Sequence, residues 1–416
     1  TKSIPKTVRL YYEEPESTVF SATVLDYFDK FIVLDRTLFY PEGGGQPADT
    51  GVIRLDDMDG GTVNELKVVD VRDVDGVILH EIDMDTDAIG IERGKQVSGS
   101  IDYRRRMAHT RHHSATHIVI WAARKVLGRH VWQAGAQKGE LRSRLDITHF
   151  KRISDAEKRE IEKLANEMVM RDEDISASFV ERNEAERRYG FRIYQGGVPP
   201  GKELRIVRIG ADEDVQACAG THCSKTGEVG PIKILRTERI QDGIERLWYS
   251  AGEAAVMEMQ ARDDLIKRSA SVLRIPENRL PETVERFFSE WKQLRKENER
   301  LRAEIAELHV SILKAKAQEI EGVKVIAEVI ADADEKELMR IASQLSTDGF
   351  VTLLLSKLDN RVAAVSSVPD IPGLDAVMIV KRVCRVLGGG GGGTAKMARG
   401  GGERVERIGD GIAAGL

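Results

Sequence analysis

Cysteine is scarce in this sequence: Cys218, Cys223 and Cys384 are the only three in 416 residues. An odd, sparse set does not make a disulfide framework, so a reducing, cytoplasmic setting fits. Long apolar runs are missing too. None reaches the ~18 residues that a membrane helix needs, and no signal peptide is visible. Net charge is only −5 and the pI about 6.1. That balance argues against a global nucleic-acid clamp while leaving room for a local basic patch. Aromatic residues make up 5% and charged residues 31%, the balance of a soluble, helix-leaning protein. The length suggests two to four domains with sizeable cores. The chain starts at Thr1 without a methionine, which reads as a fragment or as processing.

What is present is concentrated around His109 to His117, the run H-T-R-H-H-S-A-T-H. From Tyr103 to Leu127 there is neither proline nor glycine, and Gly128 can serve as a stop, so the run predicts a helix. His113 and His117 then share one face, where two imidazoles can hold one metal ion. Cys218-Ala-Gly-Thr-His222-Cys223 repeats the spacing. Two histidines with a Cys-plus-His pair give the N/S donor set that zinc prefers. His109 and His112 read as lying off the His113/His117 pair, and Cys223 could compete as a ligand. Arg104, Arg105, Arg106, Arg111, Arg124 and Lys125 make the helix basic, with a solvated face as the plain alternative.

A third stretch, Phe39-Tyr-Pro-Glu-Gly43-Gly44-Gly45-Gln46-Pro47, carries three glycines that let backbone amides approach a ligand closely. Alone it reads as a tight turn. The three stretches together, in this order, resemble the editing domain of alanyl-tRNA synthetases and the free-standing alanyl-tRNA editing proteins. The family's patterns are a Gly-rich G-G-Q loop, H-x-A-T-H and C-x-G-T-H. Here they read Gly43-Gly44-Gly45-Gln46, His113-Ser-Ala-Thr-His117 and Cys218-Ala-Gly-Thr-His222.

In chain order, residues 1–100 read as β. Thr7 to Tyr12, Phe20 to Val24, Phe31 to Leu34, Gly51 to Leu55, Leu66 to Val71 and Val77 to His80 are short apolar or alternating runs. Turns at Asp59-Gly60-Gly61 and Asp75-Gly76 separate them, as in a small barrel. Residues 101–250 read as an α+β core. It has strands within Val131 to Ile147, a Ser154/Glu157 capping box opening a helix to about Arg171, and a short helix capped by Asn183. Strands follow at Leu204 to Ile209, Ile232 to Leu235 and Leu247 to Tyr249, with a loop-rich Cys218 to Gly230. Residues 251–320 are helical, one helix running to about Leu273 and a second beginning with Pro281 in its first turn. Phe287, Trp291, Leu294, Leu301, Ile305, Leu308, Ile312 and Ala315 form a heptad seam interrupted by Asn298. An antiparallel hairpin or pairing between chains would bury it equally well. Residues 321–416 read as a small α/β unit. Gly388 to Gly393 reads there as a flexible linker or as a loop that, with Lys396 and Arg399, suits phosphate.

The expected fold is therefore multidomain α+β: barrel, zinc-containing editing core, helical hairpin or coiled coil, and a C-terminal α/β domain with a Gly-rich loop. The resemblance covers nearly the whole chain and implies the C-terminal half of an alanyl-tRNA synthetase. No segment reads as the class II aminoacylation core. The implied reaction is hydrolysis of Ser-tRNA(Ala) and Gly-tRNA(Ala). A pocket for alanine excludes the smaller glycine poorly and rejects an added hydroxyl poorly, so a second sieve is needed. The implied zinc ligands are His113, His117, Cys218 and His222. If all four bind, the ion mainly shapes the pocket; an open position would make it a Lewis acid. Thr37 and Gln46 are the candidates for rewarding the serine hydroxyl. Gly43, Gly44, Gly45 and Arg105 are candidates for substrate contact, with Arg111 and Arg144 as further phosphate contacts. The implied partners are the acceptor end and elbow of tRNA(Ala), and a second copy through the helical and C-terminal parts. A free-standing editing protein and a non-catalytic tRNA-binding and dimerisation module with a structural zinc are the alternatives.

Overall fold

The computed structural model describes residues 4–55, 64–86, 91–358 and 360–416. It divides into two compact units, Thr1–Val272 and Leu273–Leu416. That division falls at the last residue of the helix Glu253–Leu273, ahead of the helix Leu280–Lys314; the sequence groups the two helices into one spacer.

The first unit opens with a closed six-stranded barrel. Its order is Val19–Phe28, Phe31–Leu34, Val77–Ile82, Asn64–Val74, Gly51–Leu55 and Gln96–Ile101. Alternation drives it: Phe20, Ala22 and Val24 point inward to meet Ile32, Ile53, Val68 and Val97. Closure leaves no edge to be capped. The Thr7–Tyr12 run is a strand only at Val8–Arg9, and Leu10–Glu13 is a helical turn. Tyr11 turns inward and packs edge-on against Tyr12 and Tyr40, which an extended strand would not allow. The Asp75-Gly76 turn forms with both residues at positive φ, as a two-residue hairpin requires. The Asp59-Gly60-Gly61 turn lies outside the described residues. The Gln96–Ile101 strand is hidden in the sequence by Ser98, Gly99 and Ser100. Gly99 is needed there, because a Cβ would sit 2.3 Å from the Phe20 ring.

The helix Tyr103–Leu127 follows, with the Asp102 side chain accepting from the Arg105 amide and Gly128 at its end. Ala115, Ile118, Val119, Ala122 and Ala123 bury it in a core shared with two sheets. One sheet runs Ile232–Gln241, Ile244–Ala251, Ser143–Thr148, Gln133–Gln137; the other runs Ile175–Glu181, Glu203–Ile209, Asp214–Ala217. The Ser154/Glu157 capping box is present and opens Asp155–Met170. Glu181, not Asn183, caps the short helix Arg182–Tyr189: its carboxylate accepts from the Glu184 amide, and Asn183 turns back to Glu181.

In the second unit, Pro281 sits in the first turn of Leu280–Lys314. Ala306, Val310 and Leu313 pack this helix against the small domain. The heptad seam is a different stripe, and Phe287, Trp291, Leu294, Leu301, Ile305, Leu308 and Ile312 are all exposed. A six-stranded sheet runs Gln318–Ile320, Val323–Val329, Val351–Leu358, Arg361–Ser367, Met397–Gly402, Gly390–Gly393. The glycine run is therefore neither linker nor loop but an edge strand paired antiparallel with Met397–Gly402. Close packing explains its composition. A Cβ at Gly391 would lie 2.5 Å from Val380, and one at Gly400 would lie 2.6 Å from Cys384 Sγ. Lys396 and Arg399 are paired with Asp370 and Glu335.

Candidate metal centre

The helix Tyr103–Leu127 presents His113 and His117 one turn apart, with ring centroids 5.7 Å apart. The loop after Asp214–Ala217 brings Cys218 and His222 against them. One donor atom from each of these four residues lies within 4.8 Å of all the others. Cys218 Sγ is 3.2 Å from His113 Nε2 and 3.4 Å from His222 Nε2. Donors on a zinc tetrahedron lie roughly 3.4–3.8 Å apart, given Zn–N near 2.1 Å and Zn–S near 2.3 Å, so the donor set fits that ion.

Each imidazole has an outer neighbour at Nδ1, which leaves Nε2 for the centre. His113 Nδ1 donates to Gln46 Oε1 at 2.7 Å. His222 Nδ1 lies 3.3 Å from Ser114 Oγ. His117 Nδ1 lies 3.4 Å from Asp214 Oδ2, an ion-pair distance without hydrogen-bond alignment. Burial pushes the Cys218 thiol up, but His113 and His222 bring it well below its ordinary value. Burial also depresses His113, and holds His222 at about 4. His117 is lowered by burial but lifted to about 9 by Asp214 and Cys218. A thiolate-like sulfur among mostly neutral imidazoles suits a bound cation.

The glycine loop reaches this centre through Gln46, which is fully buried. Its carbonyl also accepts from the Thr221 amide at 3.2 Å, and its amide nitrogen donates to Thr221 Oγ1 at 3.0 Å. Gly44 and Gly45 face the Ala136–Lys138 strand end. Lys138 Nζ donates to Gly44 O, and a Cβ at Gly45 would lie 2.2 Å from Ala136 O. Gly43 exchanges backbone bonds with Gln46 and closes the turn. Thr37 is held inside the barrel. Its hydroxyl is 2.8 Å from His80 Nε2 and accepts from the Phe39 amide, and His80 Nδ1 meets Ile32 O. Both of its bonds run to barrel groups and none to the four-residue cluster. Arg105 is committed to Ala48 O and Glu140, and Arg144 to Gln137 and Asp146.

Two further residues read differently from the sequence. His109 is one turn before His113 on the same row, buried, with neither ring nitrogen hydrogen-bonded among the described residues. Cys223 is buried in the apolar core, its thiol pushed up to about 11 by burial, and it is outside the donor set.

The sequence missed the residues that brace the loop. Arg205 Nη1 donates to both Cys218 O and Gly220 O, at 3.0 and 2.9 Å. Tyr12 OH donates to Ala219 O at 2.6 Å. Thr110 and Thr221 hydroxyls meet at 2.7 Å. The Tyr12 and Thr110 contacts span 207 and 111 residues, and the Arg205 contacts cross from a strand to the loop 13 and 15 residues on, so no local pattern reveals these roles. A groove of about 650 Å³ opens beside the cluster and is lined in part by Tyr103, Thr110, Arg111, Arg205, Thr221 and His222.

Comparison with known proteins agrees with the motifs. A model described as the threonyl and alanyl tRNA synthetase second additional domain matches residues 204–247, which hold Cys218 and His222. A DHHA1 domain matches 322–414. An alanine–tRNA ligase of Methanosarcina barkeri is 50% identical over 418 residues, covering 100% of this chain and 44% of its own length. The chain belongs to the alanyl-tRNA synthetase family and corresponds to its C-terminal half. The alanine–tRNA ligases of Methanococcoides burtonii and Pyrococcus furiosus are 49% and 46% identical over 96% and 99% of this chain, each over 43% of its own length. The chain thus spans less than half of the synthetases it matches. A model described as tRNA synthetases class II (A) matches residues 8–105, where the sequence reading finds no such segment; the matched stretch contains the closed barrel. The C-Ala domain of the Aquifex aeolicus alanyl-tRNA synthetase aligns over 23% of this chain at 24% identity, with a TM-score of 0.23, too low to bear on the fold.

Proposed function

We propose that this chain is the editing half of an alanyl-tRNA synthetase and hydrolyses Ser-tRNA(Ala) and Gly-tRNA(Ala). The observation that carries the reading is the junction of all three motifs. Gln46 of the glycine loop bonds His113 of the helix and Thr221 of the C-x-G-T-H loop, around one set of four N/S donors. The reaction adds water across the ester: hydroxyl joins the acyl carbon, and the proton goes to the departing ribose oxygen.

His113, His117, Cys218 and His222 would hold zinc, which supplies Lewis acidity and shapes the pocket. Gln46 fixes His113 with Nδ1 protonated, so Nε2 faces the centre. Arg205 and Tyr12 hold the three carbonyls of the Cys218–Gly220 segment. His222 and Cys218 are only partly buried, and the groove reaches His222. That access favours hydrolysis over a purely structural zinc. Thr37 supports selectivity in this reading by fixing the barrel wall behind the glycine loop. Gly43, Gly44, Gly45 and Arg105 shape the loop that would meet the substrate.

The remaining parts take the roles the family implies. The barrel (residues 1–100) and core (101–250) form the editing region, and the helical segment (251–320) and C-terminal domain (321–416) bind the tRNA elbow and a second copy. The exposed seam from Phe287 to Ile312 supports the second copy. The test is to incubate the protein with Ser-, Gly- and Ala-tRNA(Ala). Release of serine and glycine with alanine retained is expected. Equal loss of all three, or loss of none, would sink the reading.

A further inference from the structure

A second surface lies away from the cluster and its groove. The helix Tyr103–Leu127 has 25 residues and spans about 37 Å, and the groove runs along its N-terminal half. Beyond its other end comes Arg129, whose carbonyl accepts from Arg192 Nη2 at 3.4 Å. Arg192 belongs to the turn Phe191–Ile193, which follows the helix Arg182–Tyr189 through Gly190 at φ 69°. The last turn of that helix carries Arg187 and Arg188. Ala185, Ile193 and Tyr194 bury the inner side of the segment against Leu204 and Ile206. Arg129, Arg187, Arg188 and Arg192 are all exposed, and no carboxylate pairs with any of them among the described residues. Arg187 and Arg188 suit the negative end of their own helix, which explains neither Arg192 nor the lack of counter-charges. On that helix Glu186 accepts from Tyr194 OH, and Glu181 accepts from Asn183 and the Glu184 amide, leaving exposed Glu184 as the opposing charge. Aromatic rings sit among the arginines. Phe191 is 71% exposed and stacked on Tyr194 at 6.4 Å, and the Arg188 guanidinium lies 4.9 Å from the Tyr189 ring centroid. Next to Arg129, the His130 ring lies 5.3 Å from Phe150, which is 69% exposed.

We propose that this surface holds an RNA strand. Arg129, Arg187, Arg188 and Arg192 take successive phosphates, and the Phe191 ring takes an unpaired base. Guanidiniums with unspent N–H donors match phosphate oxygens, and an exposed ring among cations stacks bases of any identity. The whole chain carries a net charge of −5, so a run of unpaired arginines here is a local feature and not a reflection of composition. An acidic peptide would use the arginines and leave the rings idle. An apolar protein surface would use the rings and strand the charges. The inference goes beyond the hydrolytic reading and does not depend on it, since RNA would be held here whether or not an ester is cleaved elsewhere on the chain.

The probe is unacylated tRNA(Ala), which carries no ester, titrated by fluorescence anisotropy into the full zinc-loaded chain over a range of salt concentrations. The triple variant Arg187→Ala, Arg188→Ala, Arg192→Ala is expected to weaken binding about tenfold or more. It should also lower the slope of log Kd against log salt by about two to three, at roughly 0.7–0.9 per phosphate contact. RNA held by the C-terminal domain contributes equally to parent and variant and cancels in the difference. Lysine at the same three positions keeps the charge and should keep the slope. Phe191→Ala should weaken binding about five- to hundredfold with the slope retained. Arg187 and Arg188 make no hydrogen bond through their side chains among the described residues. If the triple variant loses its circular dichroism spectrum, Arg187→Glu with Arg188→Glu therefore carries the test, and repulsion should weaken binding at least as much. Unchanged affinity and slope in these arginine variants overturn the proposal. A slope that falls while Phe191→Ala changes nothing marks a general polyanion surface and overturns the assignment to RNA.

Discussion

Gln46 Oε1 lies 2.7 Å from His113 Nδ1 across 67 residues of sequence. This bond ties the glycine loop to the helix Tyr103–Leu127 and holds His113 with Nδ1 protonated. Outer partners of this kind are typically worth roughly 10- to 100-fold in metal affinity. Gln46→Leu is therefore expected to weaken zinc by that factor with the fold retained. Competition against a chromophoric chelator, with circular dichroism beside it, checks this. An unchanged affinity would show that the bond is incidental.

Gly220 has no room for a side chain. A Cβ there would lie 1.9 Å from His113 Cε1. Gly220→Ala should displace the imidazole, lose zinc and abolish hydrolysis, while the barrel and sheets remain. Zinc content by atomic absorption and thermal unfolding of the same sample separate local from global damage. Full zinc occupancy in that variant would contradict the geometry.

Asp49 and Arg106 form a buried ion pair between the loop after the glycines and the helix Tyr103–Leu127. Arg106 also donates to Leu38 O, and Asp49 accepts from the Tyr40 amide. Removing one partner strands the other charge, so Asp49→Ala should cost about 3–5 kcal/mol. Urea unfolding reads it, and a cost under about 1 kcal/mol, as for an exposed pair, would overturn the assignment.

His80 is fully buried, and burial lowers it from 6.5 to about 4. Its Nδ1 donates to Ile32 O, so Nε2 accepts from the Thr37 hydroxyl. The unfolded chain binds the extra proton between those values. Stability is thus full above about pH 6.5 and falls as pH drops toward about 4, by on the order of 3 kcal/mol from this group. Urea midpoints from about pH 7 to about pH 4.5 should show a shallower decline for His80→Gln than for the parent. Equal slopes would place the acid sensitivity elsewhere.

The helix Tyr103–Leu127 and its His113/His117 pair were legible because helical spacing puts the two imidazoles together and Gly128 marks the stop. The barrel was legible where strands alternate, and hidden at Gln96–Ile101, where Ser98, Gly99 and Ser100 fit against Phe20. The glycine run at Gly390–Gly393 misled because glycine usually marks flexibility. Here it marks a backbone packed against Val380 and Cys384. Thr37 was expected at the reaction. Its hydroxyl meets His80, 43 residues away, which no local pattern encodes, and accepts from the Phe39 amide two residues on. Arg205 and Tyr12 were invisible for the same reason: each becomes meaningful only when the Cys218–Gly220 loop folds against it.

The most direct measurement is single-turnover deacylation of Ser-tRNA(Ala) by the full chain before zinc removal, after it, and after zinc is returned. The account expects serine release that stops on removal, returns with zinc, and is absent in Cys218→Ser. Serine release at an unchanged rate from zinc-free protein would contradict a metal-centred editing site.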